Sequence, residues 1–181
     1  MRFDSSSIVC EEIRIGNSQL GTRVTVRAHL GQARISLQID IAAGDAIHPE
    51  PITIEYPVLL GDPAPVLRAC PRETVIAEKF EAIVDLGLAN SRLKDYYDLD
   101  MLVRESAFDR QELEITLEIV FVRRQTSLPD TLPVGLSEDY VMAHTDNWNS
   151  FLDTVDATER RELRQVIRDL EAFFQFLWLP S

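Results

Sequence analysis

The chain is short of cysteine, of long apolar runs and of glycine-rich loops, and each shortage removes a class of protein. Cys10 and Cys70 are its two cysteines in 181 residues, far apart, with no C-x-x-C spacing and no histidine companion. That argues against a zinc site or a disulfide framework. No stretch of 18 residues is apolar, and the start Met1-Arg2-Phe3-Asp4-Ser5 has no apolar core. Neither a membrane span nor a signal peptide is expected, and the cytoplasm is the expected location. Internal repeats, low-complexity tracts and a phosphate-cradling loop are also missing.

Positive charge is scarce as well. Eighteen basic residues face 30 acidic ones, for a net charge of -12. Broad nucleic-acid affinity depends on neutralising phosphates, so a chain this acidic is not expected to have it. The deficit is uneven, however. Residues 1–45 hold five arginines (Arg2, Arg14, Arg23, Arg27, Arg34) and five acids (Asp4, Glu11, Glu12, Asp40, Asp45), so residues 46–181 carry the whole -12. Any polyanion would meet the N-terminal part.

What is present suits a soluble globular protein, with 45% hydrophobic and 27% charged residues in a length fit for one sizeable domain or two small ones. Val24, Val26, Ala28 and Leu30 alternate with Arg23, Thr25, Arg27 and His29, and 33–41 alternates again after Gly31-Gln32. This predicts an antiparallel hairpin with a type II′ turn, its apolar face going to a core and its polar face carrying the arginines and Asp40. Residues 8–15 read as a weaker strand and 52–56 as a short one. Prolines 49, 51, 57, 63, 65 and 71 mark 48–71 as an irregular crossover. Beyond it, helical periodicity predicts helices from Pro71 to about Gly87, and at 92–105, 109–125, 137–147 and 157–178. The fold class expected is α+β, a small, mostly antiparallel sheet over 1–71 followed by a helical bundle over 72–181. The apolar stripe of the last helix is expected to pack into the bundle, with a contact between copies as the alternative.

Two charges break the helical pattern. On a wheel of 100° per residue, Lys79 falls among Ile76, Phe80 and Ile83 and away from Glu78, Glu81 and Asp85, while Asp95 shares a stripe with Leu99 and Leu102. A lone buried charge costs several kcal/mol, so the two should be paired with each other or with a polar site the helices enclose. That pair is either a structural ion pair or a catalytic or nucleotide-binding one.

Neighbouring residues sharpen the choice. The runs Tyr56-Pro57-Val58, Glu73-Thr74-x-x-Ala77-Glu78-Lys79 and Arg92-x-Lys94-Asp95-x-x-Asp98-Leu99, with Arg123-Arg124-Gln125-Thr126 beyond them, resemble the nucleotidyltransferase toxin family typified by AbiEii. The resemblance implies a nucleotidyltransferase fold with a helical domain, and transfer of a nucleotide from an NTP to an acceptor such as a tRNA end. It also implies a toxin role opposed by an antitoxin in a type IV-like, abortive-infection system. Carried over, Lys79 would bind the triphosphate with Arg92 and Lys94 as further phosphate contacts, Asp95 would assist the acceptor's attack, and Asp40 would be a third carboxylate on Mg²⁺. Lysine stabilises a leaving pyrophosphate as a point charge, and carboxylates hold the ion between incoming and leaving oxygens. Simpler roles exist for three of them: a solvated helix start for Arg92 and Lys94, and a strand-closing hydrogen bond for Asp40. Asp98 reads as an ion-pair partner of Arg92 or Lys94.

The pattern also has a gap. The family's Gly-Ser or Gly-Gly turn followed by D-x-D on a strand is not found, which leaves Asp40 a single carboxylate for an ion that needs several anionic oxygens. The expectation is a chain resembling the later two-thirds of a family member and inactive by itself. The alternative is a noncatalytic remnant that binds nucleotide or a protein partner.

Overall fold

The structure is a computed structural model describing residues 1–15, 19–42, 47–58, 61, 63–105, 108–155 and 159–179. Its contacts divide the chain into two compact units, Met1–Asp45 and Ala46–Ser181.

The first unit is an antiparallel sheet in the order β1-β2-β3: β1 (Arg2–Ile15), β2 (Gln19–Leu30) and β3 (Ala33–Ala42). The predicted hairpin is there. Leu30 pairs with Ala33, Gly31 has φ 61° and Gln32 has no positive φ, the combination a type II′ turn needs. β1 starts much earlier than expected, because the register shift between Asp4 and Val9 hides its alternation. At that bulge the Ser7 hydroxyl donates to Asp4 O (2.6 Å) and accepts from Arg27 N (2.9 Å), so a side chain replaces the missing ladder carbonyl.

Register sorts the faces. Phe3, Ala28 and Ile35 share one side with Val26, Leu37, Val24 and Ile39, while Arg23, Asp40, Arg27, Ser36, His29 and Arg34 share the other. The apolar face is covered less than expected. Ala28 is fully buried and Ile35 and Leu37 half-buried, but Ile39 and Ile41 are 56% and 53% exposed. Three strands contribute no second layer of their own.

The second unit begins with a two-stranded antiparallel ladder of β4 (Ile52–Glu55) and β5 (Val66–Ala69), extended by Tyr56 N donating to Pro65 O. This corrects the irregular crossover: the prolines lie outside both strands, where they cost no ladder bond. Five α-helices follow among the described residues: α1 (Arg72–Leu86), α2 (Leu93–Glu105), α3 (Arg110–Arg124), α4 (Glu138–Thr154) and α5 (Leu163–Phe174). Pro71 precedes α1, and Gly87 ends it at φ 51°. The Asp109 carboxylate accepts from Gln111 N and Glu112 N to cap α3, and Ser137 caps α4. α4 runs beyond the predicted 147 because Trp148 and Leu152 continue its buried stripe of Tyr140 and Val141. α5 is shorter than predicted; the expected start at 157 lies outside the described residues, and 175–177 continue as a 3-10 turn.

α1 is the central helix of the core. Phe80 stacks on Phe174 of α5 (centroids 3.8 Å apart) and tilts against Phe121 of α3. Tyr96 of α2 stacks on Tyr140 of α4, and its hydroxyl donates to Gly135 O (3.0 Å). Leu163, Val166, Ile167 and Leu170 are buried, so the stripe of α5 packs into the bundle.

Glu81 is a correction. The helical wheel places it on a solvated face, yet it is buried against α3. Arg124 Nη1 donates to its Oε2 (2.9 Å) and the Thr126 hydroxyl to its Oε1 (2.5 Å). A helix flanked by neighbours on both sides has little solvated face left, and this acid is kept by its hydrogen bonds.

Candidate functional site

α1 and α2 run into one another through a short 3-10 turn, Gly87–Ala89, and Asn90. Asn90 is buried and tied in every direction. Its Nδ2 donates to Ala82 O (3.3 Å), its Oδ1 accepts from Arg92 N (2.9 Å), and its carbonyl accepts from the Tyr140 hydroxyl (2.8 Å). One side chain therefore fixes the end of α1 against the start of α2.

Across that junction Lys79 Nζ lies 2.7 Å from Asp95 Oδ1 and 2.8 Å from Asp98 Oδ2. Arg92 Nε stands 2.8 Å from Asp95 Oδ2, though that buried oxygen has no aligned hydrogen bond, and Lys94 Nζ lies 2.5 Å from Asp98 Oδ2. The side chains of Lys79 and Asp95 are 18% and 6% exposed, whereas Arg92 and Lys94 open to solvent. Three cations thus surround two carboxylates in the more acidic part of the chain.

Burial works against the Lys79 charge, but its hydrogen bonds to both carboxylates outweigh it and hold its pKa above the usual lysine value. Burial likewise opposes ionisation of Asp98, and the hydrogen bonds from Lys79 and Lys94 overcome it and hold this carboxyl below its ordinary range. The Lys79 ammonium is a fixed charge at neutral pH. The sequence predicts the pairing of Asp98 with Lys94 but not its bond to Lys79; its spacing of three from Asp95 is the signal that places both acids on one face.

Asp40 belongs to the first unit and the Lys79 cluster to the second. On β3, Asp40 receives Arg23 Nε on Oδ1 (2.8 Å) and Nη2 on Oδ2 (2.9 Å). These hydrogen bonds hold its carboxyl below the usual range. Both oxygens are occupied by one guanidinium, so Asp40 does not fit a divalent ion as it stands. Among the described residues no cluster of three His, Cys, Asp or Glu has metal-binding geometry.

Thr74, from the same motif as Lys79, ties the entry segment: its hydroxyl donates to His48 O (2.6 Å), which also accepts from the Thr116 hydroxyl. A cleft of about 310 Å³ opens on another face of α2, lined by Tyr97, Met101, Arg104, Trp148 and Leu152. Its charges are already matched, Arg104 with Asp100 and Glu159, and Arg161 with Asp100 and Asp169. None of the residues chosen from sequence lines it.

The family model described as "Nucleotidyl transferase AbiEii toxin, Type IV TA system" matches residues 2–176. No curated protein and no solved structure matches the chain. No helix among the described residues is long and apolar enough to cross a membrane.

Proposed function

The chain belongs to the AbiEii nucleotidyl transferase toxin family, and from that premise we propose that its chemistry is nucleotide transfer from an NTP to an acceptor such as a tRNA end. The observation that carries this reading is the half-buried Lys79 ammonium, held between Asp95 and Asp98 with Arg92 and Lys94 at its rim. Lys79 binds the triphosphate, and Arg92 and Lys94 add phosphate contacts from the solvent side. Asp95, whose buried Oδ2 has no aligned hydrogen-bond partner, is the carboxylate assigned to assist the acceptor's attack. A toxin of a type IV toxin–antitoxin pair has an antitoxin as partner.

Families of this chemistry use an NTP and a divalent metal. The residues described do not fit that ion: Asp40 is engaged by Arg23, and Asp95 and Asp98 share Lys79.

The runner-up is a noncatalytic protein that binds nucleotide or a protein partner, favoured by how fully Asp40 is committed to Arg23. Two assays separate these readings. Titration with each of the four NTPs should show saturable binding that Lys79→Ala weakens at least tenfold; binding that the variant leaves unchanged overturns the role of Lys79. Incubation of labelled NTPs with tRNA then separates the readings: Lys79-dependent labelling supports transfer, and saturable binding without labelled product supports the noncatalytic one.

A further inference from the structure

We propose that the turn end of the sheet's polar face docks the phosphate backbone of RNA. Register places Arg2, His29 and Arg34 in one cross-strand row and Asp4, Arg27 and Ser36 in the next on the same face. Neighbouring strands lie about 4.8 Å apart and same-face rows about 7 Å apart, so the three guanidinium groups spread over a patch about 10 Å across. All three arginines are exposed. Among the described residues none of them forms an ion pair, whereas Arg23 at the other end of the face is occupied by Asp40.

The charge of this patch runs against the rest of the molecule. Asp4 is the one acid in the two rows, and its carboxylate is turned to Ser6, accepting from that residue's N–H and hydroxyl. Three arginines against one aspartate leave a local excess of positive charge in a chain of net charge -12. Ser36, with Thr25 and Gln38 in the following row, adds neutral groups that hydrogen-bond phosphate and sugar oxygens.

What the rows lack selects the partner. No Phe, Tyr or Trp stands in them, so there is neither a stacking platform for bases nor a wedge for a membrane interface. Cations at ladder spacing beside hydroxyl and amide groups suit a polymer of regularly repeated phosphates, contacted without reading its sequence. RNA rather than another polyanion rests on the transfer reading, in which an acceptor strand has to be held.

Fluorescence anisotropy of the full chain with a fluorescein-labelled 20-nucleotide RNA, without NTP, tests this. At 50 mM NaCl saturable binding is expected, with a log–log salt slope of about -2 to -3, as three phosphate contacts would give. Arg27→Gln with Arg34→Gln should weaken binding at least tenfold with an unchanged thermal melt, while Arg168→Gln, exposed on α5, changes it less than twofold. A salt-independent slope, no binding at 100 µM chain, or an equal loss with Arg168→Gln overturns the proposal. So does tighter binding to phosphatidylserine vesicles or polyglutamate than to the RNA. With no NTP present, a failure of nucleotide transfer leaves these outcomes untouched.

Discussion

Lys79 Nζ stands 2.7 Å from Asp95 Oδ1 across the α1–α2 junction, and the aspartate is the more deeply buried of the two. Removing the lysine therefore strands a carboxylate with only the poorly aligned Arg92 beside it. Lys79→Ala should destabilise the fold by about 3 kcal/mol, the scale for breaking a buried pair. Urea denaturation checks this; a loss under about 1 kcal/mol would mean the cluster is wet and open instead.

The same cluster sets a pH window. Asp98 is held below its ordinary value of 3.8, so its contribution is present above that pH and is lost as the pH falls through the lower folded value. Lys79 is held above 10.5, so its contribution is full below that pH and is lost as the pH rises through the higher folded value. Urea midpoints should be flat with respect to both groups between about pH 5 and 9. Asp98→Asn should flatten part of the acid limb, and an unchanged acid limb would remove Asp98 from the account.

Glu81 depends on two donors from the end of α3. Arg124→Ala would leave that buried carboxylate with Thr126 alone, at a cost of about 2–3 kcal/mol, and Thr126→Val should cost about 1 kcal/mol. Glu81→Leu, which removes the charge together with its need for partners, should rescue much of the Arg124→Ala loss. Additive losses in chemical denaturation would count against this coupling.

Two glycines should respond differently to alanine. At Gly135 an added Cβ would lie 2.6 Å from Ile83 O, so the 3-10 turn Val134–Leu136 must move off α1; the expected loss is about 1–3 kcal/mol. At Gly31 nothing lies within 4 Å and the cost comes from its φ of 61°, about 1 kcal/mol. Thermal denaturation should rank Gly135→Ala as the worse, and Gly31→Asn, which tolerates that backbone, as milder than Gly31→Ala.

Much of this architecture is legible in the residues. Strict alternation around Gly31-Gln32 gives the hairpin, Pro71 and Gly87 bracket α1, and the misplaced Lys79 and Asp95 announce their pairing. The opening of β1 is hidden because Ser5-Ser6-Ser7 sit in a bulge that breaks the period of two. β4 and β5 are hidden because proline density signals a loop even when the prolines lie outside the ladder. The burial of Glu81 and the Lys79 partner of Asp98 are missed for one shared reason. A wheel assigns a charge to a face, while burial depends on which distant helix arrives with a complementary partner, and Arg124 and Lys79 come from 43 and 19 residues away.

The uncovered Ile39 and Ile41 also set the pace at which backbone hydrogens meet deuterium. Amides of the three-stranded meander should trade their protons well before those of α1, whose Ile76, Phe80 and Ile83 are sealed on all sides. Mass spectrometry after brief labelling would then record two separate clocks along a single polypeptide.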